Sequence, residues 1–424
     1  MKKLMTSLGL IAVSGLMAGQ LQAGFSLFDT AKDSGYIARG RFIGLERTAG
    51  GDRLTFRLDS FIKGSIAETE VVIEPFDKAY NDVAVGQDAI VGFTRSNVDQ
   101  KYRTSWGIRS IFLPNQNLTS CDTALQNLVA INAPYQAVID AELAKRAEYQ
   151  DPGYEGVFPG ALMEAWRTEL LSQISLAGSD AAKSAAQVLV EHKLFKGTVG
   201  PSQLAQYVAP RVTLTPSGTK ERAYVLMLIG SQPSLYPNTD ELFTMLGQEM
   251  PNSEISCAGH IAGLLRIKPR TDVVTRLQTL VTGDIDTPVK ANALFVAETL
   301  KDISTLPMVQ GLLTAQSALG ADADLTLTRA ALKVLRATPH SSSAQLLVDF
   351  LASDLCKQDK NPDTWWEMTR RGIVAYAMIN NPTTNAKVRE WFFAAEGARR
   401  QYLRFMIEEN KDWRPVVMIF NEKN

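Results

Sequence analysis

The stretch that decides the fold of most of the chain lies at residues 286–300 and reads DTPVKANALFVAETL. Val289, Ala293, Ala297 and Leu300 recur in it at the three- and four-residue spacing of one helix face. An acidic residue before such a run caps a helix and suits its positive end, and small alanines let a neighbouring helix approach closely. The stretch therefore predicts an amphipathic helix that packs closely against other helices.

Working outward from this stretch, the sequence repeats itself every 35 residues. One series of leucines falls inside the first helix of each unit, and a second series falls near the end of the second helix. The first series is Leu242, Leu277, Leu312 and Leu347, and the second is Leu265, Leu300 and Leu335. A helix pair with apolar residues on both sides cannot bury them alone, so we expect the pairs to stack on one another.

The second helices resemble HEAT repeats. The resemblance is carried by Asp286, Val289, Lys290, Ala293, Ala297 and Leu300, and again by Asp324, Leu327, Thr328, Ala331 and Leu335. Weaker copies begin at Ser179 and Asn252. The resemblance implies an all-α, HEAT-like solenoid of about five to seven helix pairs over residues 156–424. Such solenoids present long surfaces to protein partners.

The end of this region is rich in tryptophan and arginine, which are typical of binding hot spots. The candidate protein-binding residues are Trp365, Trp366, Arg370, Arg371, Trp391, Arg399 and Arg400. A repeat that closes the end of a solenoid would have the same composition, so the sequence leaves cap and interface open.

The region before the solenoid has a hydrophobic period of two, which indicates half-buried strands. At residues 53–59, Leu54, Phe56 and Leu58 share one face and alternate with polar residues. Strands are predicted over 36–45, 53–59, 70–76, 89–95 and 106–113. Five short strands within residues 24–117 predict a small all-β, barrel-like domain. Residues 118–155 are expected to form a helical connector, with a long helix that breaks at Pro134.

This β region resembles the OB-like barrels of the netrin and metalloprotease-inhibitor class. The resemblance runs from Phe42 through Lys63-Gly64 to Val71-Val72-Ile73, and then to Val85-Gly86-Gln87. Inhibitory members of that class reach a protease's zinc ion with an N-terminal cysteine. Here the first cysteine is Cys121, so inhibitor function is not inferred.

Four arginines lie on the solvent side of the first predicted hairpin: Arg39, Arg41, Arg53 and Arg57. Some of them should be cross-strand neighbours, and an anionic ligand would offset the repulsion between them. They are the candidate anion-binding residues. An ordinary solvated strand face, with Glu46 and Asp59 interspersed, is the competing interpretation.

The N-terminus has the form of a bacterial secretory signal peptide. Lys2 and Lys3 precede a mostly apolar run that ends in small residues, and we expect cleavage after Ala23. Residues 1–23 would then be removed, and the protein would function in the periplasm or outside the cell. No later stretch is apolar enough for a membrane span.

Composition and motifs argue against several function classes. The formal charge of −1 disfavours a nucleic-acid-binding surface. His192, His260 and His340 are too far apart in sequence to suggest a zinc site. Nucleotide-binding glycine loops, serine-nucleophile elbows and Cys-x-x-Cys pairs are missing from the sequence, so we expect neither a cofactor nor thiol catalysis.

The sequence favours an exported, non-enzymatic binding or scaffold protein that holds a protein partner on its helical repeat. Binding of an anionic glycan or envelope polymer by the arginine face is the alternative. An enzyme with an unrecognised site is a further alternative.

Overall fold

The computed structural model describes residues 26–48, 51–74, 83–108, 110–114, 117–149, 154–236, 238–249, 257–379 and 381–409. The predicted signal peptide lies outside these residues. The chain forms two compact units, one containing Met1–Pro216 with Lys220–Leu235 and the other containing Ser217–Thr219 with Tyr236–Asn424. We call them the N-terminal and the C-terminal unit.

The N-terminal unit begins with a short helix, α1 (Leu27–Asp33), and a β-barrel follows it. Its strands are β1 (Tyr36–Thr48), β2 (Gly51–Lys63), β3 (Glu70–Glu74), β4 (Asp88–Arg95), β5 (Tyr102–Ile108) and β6 (Ile111–Phe112). The order β1-β2-β3-β5-β4 closes because β4 also pairs with β1, and β6 adds to β4. The β3–β5 pair is parallel, and the other pairs are antiparallel.

The structure confirms the small barrel, and the alternating residues form its core. Leu54 and Phe56 of β2 lie inside with Phe42, Ile73 and Phe93. The last predicted strand, over 106–113, is wrong in its bounds. The chain instead forms β5 from Tyr102 and then the two-residue β6, because the two strands pair at different places along β4.

The remaining helices of the N-terminal unit follow the barrel in chain order. They are α2 (Leu118–Asn132), α3 (Gln136–Tyr149), α4 (Gly160–Ile174), α5 (Asp180–Glu191) and α6 (Lys220–Gly230). A single 3₁₀ turn, Ala133–Tyr135, separates α2 from α3, which confirms the predicted break at Pro134. Residues 201–214 form irregular helical turns.

Helix α1 lies between the barrel and the helices of this unit. The Leu27 amide donates to Ser184 Oγ of α5 at 3.0 Å. The Ala31 carbonyl at its other end accepts from Asn132 Nδ2 of α2 and from Lys63 Nζ of β2, each at 3.0 Å. Because these bonds join elements distant in sequence, α1 holds the barrel and the helices together.

The C-terminal unit consists of helix pairs. The first helices of the pairs are α7 (Thr239–Gln248), α9 (Arg270–Thr282), α11 (Leu306–Leu319), α13 (Ser341–Ala352) and α15 (Pro382–Phe393). The second helices are α8 (Ala258–Leu265), α10 (Thr287–Leu300), α12 (Leu325–Ala337), α14 (Trp365–Ile379) and α16 (Gly397–Glu409). Helices α8, α10, α12 and α14 contact one another in succession, as do α9, α11, α13 and α15.

All seven leucines of the predicted 35-residue series are buried, at the expected places in first and second helices. The Asp324 carboxylate caps α12 by accepting from the amides of Thr326 and Leu327, as expected. Asp286 occupies the N-cap position of α10 without a side-chain bond to the helix. Pro288 lacks one of the amides that a capping carboxylate would reach, which accounts for the difference.

Within the described ranges, no helix has the length and apolar character needed to cross a membrane.

Candidate functional site

A surface groove of the C-terminal unit lies between α12 and α14. On α12, Leu327, Ala331 and Val334 are buried. Arg329, Lys333 and Arg336 follow one another at four- and three-residue spacing, so they share a different face of the helix. The amphipathic pattern of α12 therefore places three cations along one edge.

Helix α14 presents an aromatic ring and two more cations opposite them. Trp366 and Arg370 are four residues apart, as are Glu367 and Arg371, so these two neighbouring stripes run along one side of the helix. Met368, Ile373 and Tyr376 are buried on the other side.

An open groove of about 370 Å³ lies between these two helix edges. Its lining residues are Arg329, Leu332, Lys333, Arg336, Trp366, Glu367, Arg370, Arg371, Val374 and Ala375. We call it the α12/α14 groove. It combines a small apolar floor with five cations and a single carboxylate.

Glu367 is the carboxylate, and it is engaged by two arginines. Its oxygens accept from Arg329 Nε and Nη2 of α12 at 2.9 and 2.8 Å, and from Arg371 Nε at 2.8 Å. The hydrogen bonds from Arg329, with those from Arg371, outweigh partial burial and lower the pKa of Glu367. Glu367 is therefore ionised at neutral pH, and it neutralises part of the groove's charge.

The other three cations are available to a ligand. Lys333, Arg336 and Arg370 are exposed, and none makes an ion pair or hydrogen bond within the part of the chain that the structure describes. The groove thus has an uncompensated positive charge over a short distance.

The candidate protein-binding residues separate into three groups. Trp365 is only 6% exposed and packs edge-on against Tyr402 of α16, with ring centroids 5.4 Å apart. Trp366 is 43% exposed and lies in the groove with Arg370 and Arg371. Of the remaining candidates, Trp391 of α15 and Arg400 of α16 are not among the described residues that line the groove. Arg399 also belongs to α16.

The half of the groove that α12 supplies was not predicted from the sequence. Arg329, Lys333 and Arg336 were not among the candidates. Their four- and three-residue spacing was a usable signal, because cations at that spacing line one helix face. What places them opposite Trp366 is the packing of α12 on α14.

The arginine face of the barrel is arranged as the sequence implied, with Arg41 directly opposite Arg57 across β1 and β2. Each of the four arginines has a carboxylate from the chain itself as its partner. The pairs are Arg39 with Asp122 at 2.7 Å, Arg41 with Asp88 at 2.6 Å, Arg53 with Glu74 at 3.3 Å and Arg57 with Asp59 at 3.6 Å. The repulsion that an anionic ligand was expected to offset is thus offset from within the protein.

A second charged cluster lies beside α1 in the N-terminal unit. His192, at the end of α5, is only 10% exposed, and its Nε2 lies 3.3 Å from Asp29 and 3.1 Å from Glu155. Burial lowers the pKa of His192, but hydrogen bonds to both carboxylates and the charge of Asp29 outweigh burial and raise the pKa to about 9. The Leu194 amide donates a long, 3.3 Å hydrogen bond to Nδ1, which favours the neutral ring. The two carboxylates favour the protonated ring more strongly.

This cluster is balanced in charge and enclosed by rings. Lys32 Nζ lies within 3.8 Å of Asp29, Asp33 and Glu155. Arg146 pairs with Asp33 at 3.0 Å. Phe28 and Phe195 contact the His192 ring, with centroids 5.3 and 5.8 Å away. These contacts hold α1 in place, and they leave little room for a reactant at the imidazole.

The three cysteines are buried thiols that form no disulfide. Burial, with the nearby charge of Asp180, raises the pKa of Cys121 to about 12. Across the described ranges, no group of three His, Cys, Asp or Glu side chains has an arrangement that could hold a metal ion.

No family model, curated protein or solved structure matches this chain.

Proposed function

We propose that this protein is an exported, non-enzymatic binding protein whose HEAT-like helical repeat holds a protein partner in the α12/α14 groove. The observation that carries the proposal is the groove itself, with an exposed tryptophan and three available cations on two adjacent helices. Tryptophan and arginine are the residues most enriched in binding hot spots, and a groove between repeat helices is a usual place for a partner.

The assignment to a HEAT-like repeat rests on the pairing of the helices and on small residues at their contacts. Ala293 and Ala297 of α10 and Ala331 of α12 are fully buried where these helices pack together. The five-strand barrel supports an OB-like N-terminal domain in the same way. Export is proposed from residues 1–23 alone, and isolating the mature protein with Gly24 as its first residue would test it.

Binding is tested by site-specific photo-crosslinking in the producing cells. Benzoylphenylalanine replaces Val374, which lines the groove, or Leu319, which is 53% exposed elsewhere in the C-terminal unit. We expect a discrete adduct from position 374 and none from position 319. The adduct should disappear when Trp366→Ala is added to the position-374 variant. Without Trp366→Ala, the purified variant and its purified partner should give the same adduct in vitro.

Absence of an adduct at position 374, or the same adducts from both positions, would contradict the proposal. Circular dichroism of each variant controls for loss of fold.

A further inference from the structure

We infer that the partner's bound segment is an acidic peptide in which carboxylates flank an apolar side chain. This inference rests on the proposed function, since it specifies the chemistry of the partner in the same groove.

The charge of the groove points to carboxylates. Lys333, Arg336 and Arg370 converge on it, and each lacks an anionic partner among the described residues. Lys333 and Arg336 are three residues apart on one helix, which places their side chains about 5–6 Å apart at the Cβ atoms. Acidic side chains two residues apart in an extended peptide point to the same side, so they can reach such a pair. Acidic residues therefore complement this edge of the groove.

The apolar part of the groove points to a side chain between the acidic residues. Leu332 of α12 with Val374 and Ala375 of α14 contributes aliphatic surface. The Trp366 ring is held by its Nε1, which donates to the Asp363 carbonyl at 3.1 Å, and lies edge-on to Tyr402. Because this ring is already ordered, binding against it costs little conformational entropy.

Glu367 disfavours a continuous polyanion such as a sulfated glycan or nucleic acid. Its ionised carboxylate lies in the lining, where it pairs with both Arg329 and Arg371 and compensates one of their two charges. A polymer with closely spaced charges would place one of them near this carboxylate, where like charges repel. A peptide can instead place an uncharged residue there. The volume of about 370 Å³ also suits a few side chains.

The test begins with a phage-displayed library of random twelve-residue peptides, selected on the full mature protein. We expect the selected peptides to be enriched in Asp and Glu around an apolar residue. Synthetic, fluorescein-labelled versions are then measured by fluorescence anisotropy against three proteins.

The first protein is the parent chain, and the second has Lys333→Gln, Arg336→Gln and Arg370→Gln together. The third has Arg266→Gln, Lys301→Gln and Lys360→Gln, which removes the same charge from exposed positions outside the groove. We expect the groove variant to bind the peptides at least tenfold more weakly and the control variant to bind within twofold of the parent. Affinity should also fall steeply between 50 and 500 mM salt, because the contacts are ionic.

Selected peptides without acidic enrichment, or equal affinity for the groove variant and the parent, would overturn the inference. The inference would also be overturned, in favour of a polyanion, if heparin or polyphosphate bound the parent but not the groove variant and no peptide showed this difference. The proposed function fails separately, if no adduct forms at position 374 of the otherwise unchanged protein. An adduct that persists in the groove variant leaves the binding role standing and removes only the acidic partner.

Discussion

Substitution of Gly92 by alanine is expected to destabilise the N-terminal unit by forcing α1 away from the barrel. Gly92 lies in β4, beneath the end of α1. A Cβ atom there would lie 2.5 Å from Thr30 Cγ2 and 2.6 Å from Ser34 Oγ. Ordinary contacts between such atoms are about 3.5–4 Å, so α1 would have to move by about 1 Å. Inserting a methyl group into a packed core costs about 1–3 kcal/mol, and we expect a value near 2–3 kcal/mol here.

The reasoning predicts a specific rescue by Thr30→Ser with Ser34→Ala. These changes remove both clashing atoms. The hydroxyl of a serine at position 30 can still donate to the Ser26 carbonyl, as the Thr30 hydroxyl does. The Ser34 hydroxyl is buried and makes no hydrogen bond within the described residues, so its removal should cost little. Loss of the buried Thr30 methyl should cost about 1 kcal/mol. In this background the Gly92→Ala methyl fills the vacated space, and its own cost should fall to about 0.5 kcal/mol or less.

The measurement is equilibrium unfolding in guanidinium chloride, followed by circular dichroism. Hydrogen exchange of peptides covering α1 assigns the change to the N-terminal unit. Gly230→Ala at the end of α6 is the control, since its Cβ would meet no atom within 4 Å. The close packing of α1 on β4 would be refuted if Gly92→Ala lowered the free energy of unfolding by less than about 0.5 kcal/mol. It would also be refuted if the loss were equal in the parent and in the Thr30→Ser, Ser34→Ala background.

Three further outcomes are expected. Because the pKa of His192 is raised from 6.5 to about 9, the stability that its protonation contributes is complete below pH 6.5 and is lost as the pH rises through 9. Unfolding measured across this range should show a loss of about 3 kcal/mol, and His192→Gln should flatten the profile. Trp166→Phe removes the 2.7 Å bond from Nε1 to the buried Asn132 Oδ1, so it should cost about 1–3 kcal/mol, and a double mutant with Asn132→Leu should show non-additive costs by denaturation. The native protein should react slowly with a thiol reagent such as DTNB, and three thiols should react after unfolding; rapid labelling of the folded chain would contradict their burial.

Hydrophobic periodicity alone predicted much of the fold. The alternation in residues 53–59 assigned Leu54 and Phe56 to the barrel interior, because successive strand residues point to opposite faces. The 35-residue series placed Leu277 and Leu312 correctly in buried positions, because the helical spacing of apolar residues identifies the packed face. Helix α1 was not predicted, since seven residues are too few to show a period.

The lining of the α12/α14 groove was only half predictable. The composition of α14 indicated an aromatic and basic surface, and Trp366, Arg370 and Arg371 do line the groove. Trp365 and Trp366 are chemically identical neighbours, yet one is buried and the other exposed. Successive helix residues point about 100° apart, so the packing of α14 on its neighbouring helices decides which ring is covered.

The sequence by itself determined which residues share a face of each strand and helix, because that depends on local backbone geometry alone. The tertiary structure decided which faces meet. It brought Arg39 to Asp122, 83 residues away, and thereby compensated part of the arginine face. It also brought Arg329 to Glu367, 38 residues away, and so assembled the α12/α14 groove from two helices. Such pairings follow from how whole elements pack on one another, and a local period carries no record of that packing.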